Sequence, residues 1–407
     1  MVKKTAIAAL TLALLTGCGS ATSLPGIVRD ADSAAAARRI AQASIIADTH
    51  IDVPYRLAKK PSDLSAATED GDFDYPRAVT GGLNVAFMSI YTPAELEADG
   101  GSRQVAESLI DLVEGIAEQS PDKFAIARSV ADVREHFKAG LISLPLGMEN
   151  GSPIEGDLRT IEHFYDRGIR YITLTHSLSN HISDSSYDDN HRWNGLSEFG
   201  FDVVREMNRL GMMIDVSHVT DAAFWQIIAT SKVPVIASHS SARHFTPGFE
   251  RNMNDEMIVA LAKRGGVIQI NFGSSFISQT TRDYSDARSA ARKQFLTQNP
   301  DLREEDIYRS FAESYAEEHG PLPFATLSDV LDHFDHVVSL VGVDHVGIGS
   351  DYDGVGDSLP IGLKDVASYP NLVQGLLERG YSEADIVKIL GENLLRVWQA
   401  VEDHARS

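Results

Sequence analysis

The chain has almost no cysteine: Cys18 is the single one in 407 residues. No disulfide can form within one chain, so a folded domain here is held by its core alone. It is also short of positive charge, with 36 Lys and Arg against 58 Asp and Glu and a formal balance of -22. That acidity argues against nucleic acid or an anionic membrane surface as a partner. There is no internal repeat, no low-complexity tract and no second long apolar run. No Gly-rich phosphate turn follows the first strand candidate, which weighs against an open doubly wound sheet.

The one apolar run follows Lys3 and Lys4 and ends in Leu15-Thr16-Gly17-Cys18. A basic start and an apolar core short of the roughly 20 residues of a spanning helix read as an export signal. The Leu-x-Gly-Cys ending resembles a bacterial lipoprotein cleavage box. The expected organisation is a signal peptide over 1–17, a lipidated tether over 18–32 attached through Cys18, and one folded domain over 33–407. Loss of Lys3 and Lys4 with the signal takes the balance from -22 to -24. Two or more acyl chains on Cys18 would make membrane anchoring durable. Gly19 stands where an aspartate would mark inner-membrane retention, so the expected place is the cell envelope, at the outer membrane facing the periplasm.

The stretch Asp48-Thr49-His50-Ile51-Asp52 ends a short apolar run in His-x-Asp. In extended backbone, residues two apart point to the same side, so His50 and Asp52 can converge on one cation. Apolar, β-branched strand candidates lie at 44–47, 83–91, 141–147, 171–175, 212–217, 233–238, 266–271 and 345–350. Stretches with apolar residues three and four apart at 102–119, 130–139, 158–167, 197–210, 220–230, 255–263 and 327–340 read as helices. Eight strands alternating with helices predict an α/β fold, a (β/α)8 TIM barrel with parallel pairing. The charged, helix-prone stretches 282–298 and 303–318 read as a helical insertion after strand seven: a lid, a dimer contact or a solvated addition.

In such barrels the active residues sit at the C-terminal ends of the strands. Here six of the eight candidates end in a metal-capable or acid–base side chain: His50 with Asp52, Glu149, His176, His218, His239 and Asp351. Any one of them reads equally well as a strand-end cap. Six at one predicted mouth read as a site.

These residues carry a resemblance. Gly147-Met148-Glu149-Asn150-Gly151, Thr173-Leu174-Thr175-His176-Ser177, Asp215-Val216-Ser217-His218, Ser238-His239-Ser240-Ser241, Glu250-Arg251-Asn252 and Gly349-Ser350-Asp351-Tyr352-Asp353-Gly354, with the His-x-Asp stretch, resemble the membrane (renal-type) dipeptidase family. The match runs from about Ser44 to Glu402. It implies a metallopeptidase with two zinc ions per chain that hydrolyses dipeptides, L-,D-dipeptides included. His50 and Asp52 would hold one zinc, His218 and His239 the other, and Glu149 would bridge them. A hydroxide between the metals would attack, with Asp351 as general acid and base. His176 would hydrogen-bond the substrate carbonyl. Arg251 would hold the substrate's terminal carboxylate by two parallel bonds, where an arginine outside such a motif reads as a surface salt bridge.

The chain departs from the animal members in two ways. No apolar tail precedes Ser407, so the N-terminal lipid is expected to take the place of a C-terminal anchor, and the single cysteine leaves no inter-subunit disulfide expected through the folded domain. Homodimerisation is an expectation of the resemblance alone. Another metal-dependent amidohydrolase, acting on a cyclic amide, lactone or phosphoester, would commonly show His-x-His on strand one and often a bridging lysine. A non-catalytic peptide-binding lipoprotein would need neither the ligands nor Asp351. The remaining histidines (His163, His181, His191, His244, His319, His333, His336, His345 and His404) are expected to be structural and mostly solvated. The polar loop with His181, Asp184, Asp188, Asp189 and His191 reads either as overhanging the mouth, with Trp193 as a pocket wall, or as a solvated connection, the usual reading of a loop rich in Asp, Asn and Ser.

Overall fold

The computed structural model describes residues 30–407. Cys18, the signal segment and most of the expected tether lie outside them. Ten strands form one sheet: β1 (Ile46–Ile51), β2 (Leu83–Tyr91), β3 (Phe124–Ala125), β4 (Ile142–Ser143), β5 (Leu146–Glu149), β6 (Ile169–Thr173), β7 (Met213–Asp215), β8 (Ile236–Ala237), β9 (Val267–Ile270) and β10 (Val346–Ile348). Eight of them run in the order β1-β10-β9-β8-β7-β6-β5-β2, β1 pairs with β2 to close the ring, and β4 and β3 continue outward from β2. All pairings are parallel, so this is an eight-stranded (β/α)8 barrel, as the alternating pattern predicts.

The strands are buried on both faces, which is why they read as apolar runs rather than alternating ones. The helices between them start at side-chain caps. Ser129, Ser197, Thr220, Asn254 and Thr326 each accept the backbone N–H three residues on, which places the helix starts close to the predicted ones. At the N-terminal end of the barrel, Trp398 of the final helix Asn393–Ala405 packs on Phe87, and Phe87 on Tyr171. The apolar core thus closes one end and leaves the other to polar side chains.

Three local differences have physical causes. The predicted strand 141–147 is two strands, β4 and β5, parted at Leu144-Pro145; Pro145 has no N–H to give a ladder. β4 then pairs with β3, an unpredicted two-residue strand outside the ring. The first strand runs Ile46–Ile51 rather than 44–47, and a register shift against β2 falls between Asp48 and Ile51. Irregularities of this kind re-aim side chains at barrel rims, and His50 lies within this one. The first helix, Asp30–Ala43, begins inside the expected tether and packs on the helix Tyr369–Glu378.

The insertion is a helical pair, Gln279–Gln298 and Glu304–His319. Tyr284 meets Tyr315, and Phe295 meets Phe311, between the two helices. The Arg282 guanidinium lies 4.5 Å over the Phe249 ring, so the pair touches the segment that carries Arg251. Among the described residues no helix is long and apolar enough to cross a membrane.

Candidate metal centre and active site

The mouth gathers the predicted residues from five strand ends. His50 lies on β1 with Asp52 just beyond it; Glu149 ends β5; His218, His239 and Asp351 follow β7, β8 and β10 within three residues. All six are buried. His176, three residues past β6, keeps 22% of its side chain exposed against 0%, 6% and 1% for His50, His218 and His239, so it is the imidazole that faces outward. Ligand atoms of His50, Glu149 and His239, of Glu149, His176 and His218, and of His50, Asp52 and Asp351 each lie within 4.8 Å of one another.

Glu149 divides the site. Its Oε2 lies 3.4 Å from His50 Nε2, which is also 3.4 Å from Asp52 Oδ2. Its Oε1 lies 3.1 Å from His218 Nε2, 3.3 Å from His239 Nε2 and 3.6 Å from His176 Nε2.

The hydrogen bonds fix which ring nitrogens face this carboxylate as lone pairs. Tyr171 donates its phenolic proton to Thr49 O, so it accepts from His50 Nδ1–H at 2.9 Å and leaves Nε2 bare in the neutral ring. His50 Nε2 has no hydrogen-bond partner. Ser238 donates to Asp215 at 2.6 Å and accepts from His239 Nδ1–H at 2.7 Å, which bares His239 Nε2 in the same way. That nitrogen stands 2.9 Å from His218 Nε2.

Bare nitrogens and carboxylate oxygens turned toward one another in a buried space need cations between them. The donor set of imidazole and carboxylate suits a divalent transition metal. Burial, then the positive charges of neighbouring groups, hold His218 and His239 well below the usual histidine range, in the neutral form that binds metal. Burial also pushes His50 down, but Tyr171, Glu149 and Asp52 outweigh it and raise the ring well above that range. A cation there would take the place of that proton. For Glu149, burial works upward and the surrounding imidazoles win, leaving its carboxyl well below the carboxylate range.

Asp351 is pushed up to about 7 by burial and by the Asp52 carboxylate, and its Oδ2 accepts from Asn271 Nδ2 at 2.7 Å. A Cβ on Gly354 would stand 2.2 Å from both Asp351 Oδ1 and Asp52 Oδ2, so only glycine lets the chain pass that close. His218, Asp351 and Asn150 all have positive φ (69°, 65° and 78°). Strained backbone of this kind, held by its surroundings, concentrates at functional sites.

Arg251 is buried. It donates from Nη1 to Ser240 Oγ at 2.7 Å and from Nη2 to His239 O at 2.9 Å, while its Nε has no partner. Its charge is felt by His176, His218 and His239. Among the described residues it meets no carboxylate, which sets it apart from the surface arginines that end in salt bridges.

The supporting residues Tyr171, Asp215, Ser238 and Asn271 were not singled out from the sequence. Asn271 ends the predicted seventh strand, and Asp215 and Ser238 lie inside quoted motifs, so strand-end position could have marked those three. Tyr171 sits at mid-strand with no such signal. Two structural expectations need correction. His333 is fully buried rather than solvated, and Asp184 is a buried organiser of its loop, accepting the N–H groups of Arg192, Trp193 and Gly195. That loop lies beside the mouth, with Tyr187 5.9 Å from the His218 ring, while Trp193 is 41% exposed and its Nε1 donates to Asn180 O.

A closed parallel barrel with imidazoles and carboxylates gathered at its C-terminal mouth is the architecture of a metal-dependent barrel hydrolase. The sequence model of the membrane dipeptidase family, peptidase family M19, matches residues 34–407, and the chain belongs to that family. It is 34% identical over 344 residues to the dipeptidase aclJ of Aspergillus oryzae, covering 83% of this chain and 72% of that protein. Among solved structures, the probable dipeptidase PvdM from Pseudomonas aeruginosa superposes with a TM-score of 0.81 at 27% identity, over 92% of this chain and 99% of that one. A second, the M19 metallopeptidase named dipeptidase AC, gives 0.70 at 25% identity over 88% and 99%. The chain is a dipeptidase-type hydrolase of a metal-dependent family.

Proposed function

We infer that this chain hydrolyses dipeptides, L-,D-dipeptides among them, with two zinc ions at the barrel mouth. The observation that carries the reading is the division of Glu149, Oε2 toward His50 and Oε1 toward His218 and His239. His50 and Asp52 would hold one ion, His218 and His239 the other, and Glu149 would serve both. When bound, the ions polarise the scissile carbonyl and make a water acidic enough to attack near neutral pH.

The rest falls to side chains. Asp351 accepts the proton of the attacking water and returns it to the leaving amine; Asn271 orients its carboxylate, and the charge of bound ions would hold it ionised against the burial and the Asp52 carboxylate that push it up. His176, the most exposed of the four imidazoles, donates to the substrate carbonyl oxygen as negative charge develops there. Arg251 reads the free carboxylate of the dipeptide, which places the scissile bond one residue from the C-terminus. The protein works in the cell envelope, lipid-anchored through Cys18 at the outer membrane and facing the periplasm.

The test is metal content of the purified domain together with hydrolysis of a mixed L-,L- and L-,D-dipeptide panel before and after chelation. About two zinc per chain with chelator-sensitive cleavage supports the reading. Two metals without dipeptide cleavage would move the substrate elsewhere, and no metal after reconstitution would sink the proposal. A Cys18→Ser variant recovered in the soluble fraction supports the anchor; one that stays with the membrane refutes it.

A further inference from the structure

Away from the mouth, the described residues bring together one other group of metal-capable side chains: His244, Asp255 and His336. They come from three elements. His244 sits in the short turn Arg243–Phe245, Asp255 opens the helix Asp255–Lys263, and His336 lies on the helix Leu327–Val341. One ligand atom from each lies within 4.8 Å of the others.

The two imidazoles stack, with centroids 4.3 Å apart and planes 23° from parallel. His336 Nε2 lies 2.7 Å from Asp255 Oδ1. An ion pair between His336 and Asp255 would account for those two residues without His244. Such a pair does not involve the third ring, which lies over His336 and edge-on to Phe245 and whose nitrogens make no hydrogen bond among the described residues. His333, one turn away on the same helix, is excluded as a further ligand because both its nitrogens are already engaged.

We propose that His244, Asp255 and His336 form a peripheral site for a borderline divalent cation, zinc foremost. Two imidazoles and one carboxylate are a donor set for that ion, and three protein ligands leave a position for water. His244 is exposed and the other two partly so, so the ion exchanges with solvent, unlike one buried at the mouth.

The position gives the site a consequence for the enzyme. Ala242 pairs with Met253, and the Arg243 side chain holds the carbonyls of Glu250 and Asn252. His244 therefore belongs to the segment that presents Arg251. A cation joining His244 to His336 and Asp255 ties that segment to two outer helices of the barrel and stiffens it.

The test uses the full protein with its mouth already loaded, dialysed against increasing zinc, alongside His244→Ala and His336→Gln. The readouts are zinc per chain and the thermal midpoint rather than hydrolysis, so the result stands apart from the fate of the dipeptide reading. Wild type is expected to bind about one zinc more than either variant and to gain a few degrees of Tm with added zinc, a gain the variants lack. Hydrolysis at low zinc stays the same in all three. Because His244 is exposed, its variant folds and carries the test even if the other does not. Equal zinc stoichiometry in wild type and His244→Ala overturns the proposal.

Discussion

His333 makes stability fall in acid by an amount the structure sets. Its Nδ1 accepts the N–H of Ala242 and its Nε2–H donates to the carbonyl of Ile277, each at 3.0 Å, in a fully buried position. One proton on the ring satisfies both partners; a second would point at the Ala242 N–H. Burial accordingly holds the group down at about 4 against its usual 6.5. A base depressed in the folded state is protonated first in the unfolded chain. Its contribution is whole above pH 6.5 and is lost as pH falls toward 4. The gap of 2.5 units corresponds to about 3 kcal/mol, of which about 2 kcal/mol is gone by pH 5. Glutamine offers the same acceptor and donor and does not titrate, so His333→Gln is the control. Urea-unfolding free energies for both proteins from pH 7.5 to 4.5 isolate the term, because every other group, metal ligands included, is common to both. Wild type should lose about 2 to 3 kcal/mol more than His333→Gln over that range. Parallel pH profiles would refute the reasoning. His333→Leu, which orphans a buried donor and a buried acceptor, should cost about 2 to 5 kcal/mol at neutral pH.

Asp351→Asn should leave bound metal unchanged while lowering kcat by about 10²- to 10⁴-fold, measured with metal analysis on the same sample; unchanged turnover removes Asp351 from the proton path. Arg251→Ala should raise KM by roughly ten- to a hundredfold for dipeptides with a free carboxylate and have little effect on their amides, read from paired steady-state kinetics. Gly354→Ala places a methyl 2.2 Å from two side-chain carboxylates, which must give way before the backbone does. Metal content and activity should therefore drop, while the Tm measured on metal-free protein stays close to that of metal-free wild type. Tyr171→Phe removes the acceptor for His50 Nδ1–H, and competition with a chelator should show metal affinity down by about 10- to 100-fold.

The barrel was legible because its signals are local. Runs buried on both faces read as apolar strands, and Ser, Thr and Asn caps sit where the helices begin. The insertion helices were visible for the same reason, as charged stretches of helix formers. Less legible were pieces whose conformation is set by what they pack against. β3 is two residues long and exists because β4 lies beside it, and the first helix packs on the distant helix Tyr369–Glu378. Asp184 reads as a loop aspartate until three backbone N–H groups are seen to converge on it.

What the sequence by itself determined is the inventory of the site: which side chains end the strands, and so which chemistry the mouth can hold. Strand ends are local features, and parallel pairing carries them all to one rim. Only the tertiary structure decided how that inventory is divided and tuned. That Glu149 turns one oxygen to His50 and the other to His218 and His239, that Tyr171 and Ser238 choose which nitrogens face it, and that burial beside Asp52 lifts Asp351 to about 7 all depend on residues far apart in the chain. Tautomers and proton affinities are set by neighbours in space, and no spacing along the chain encodes them.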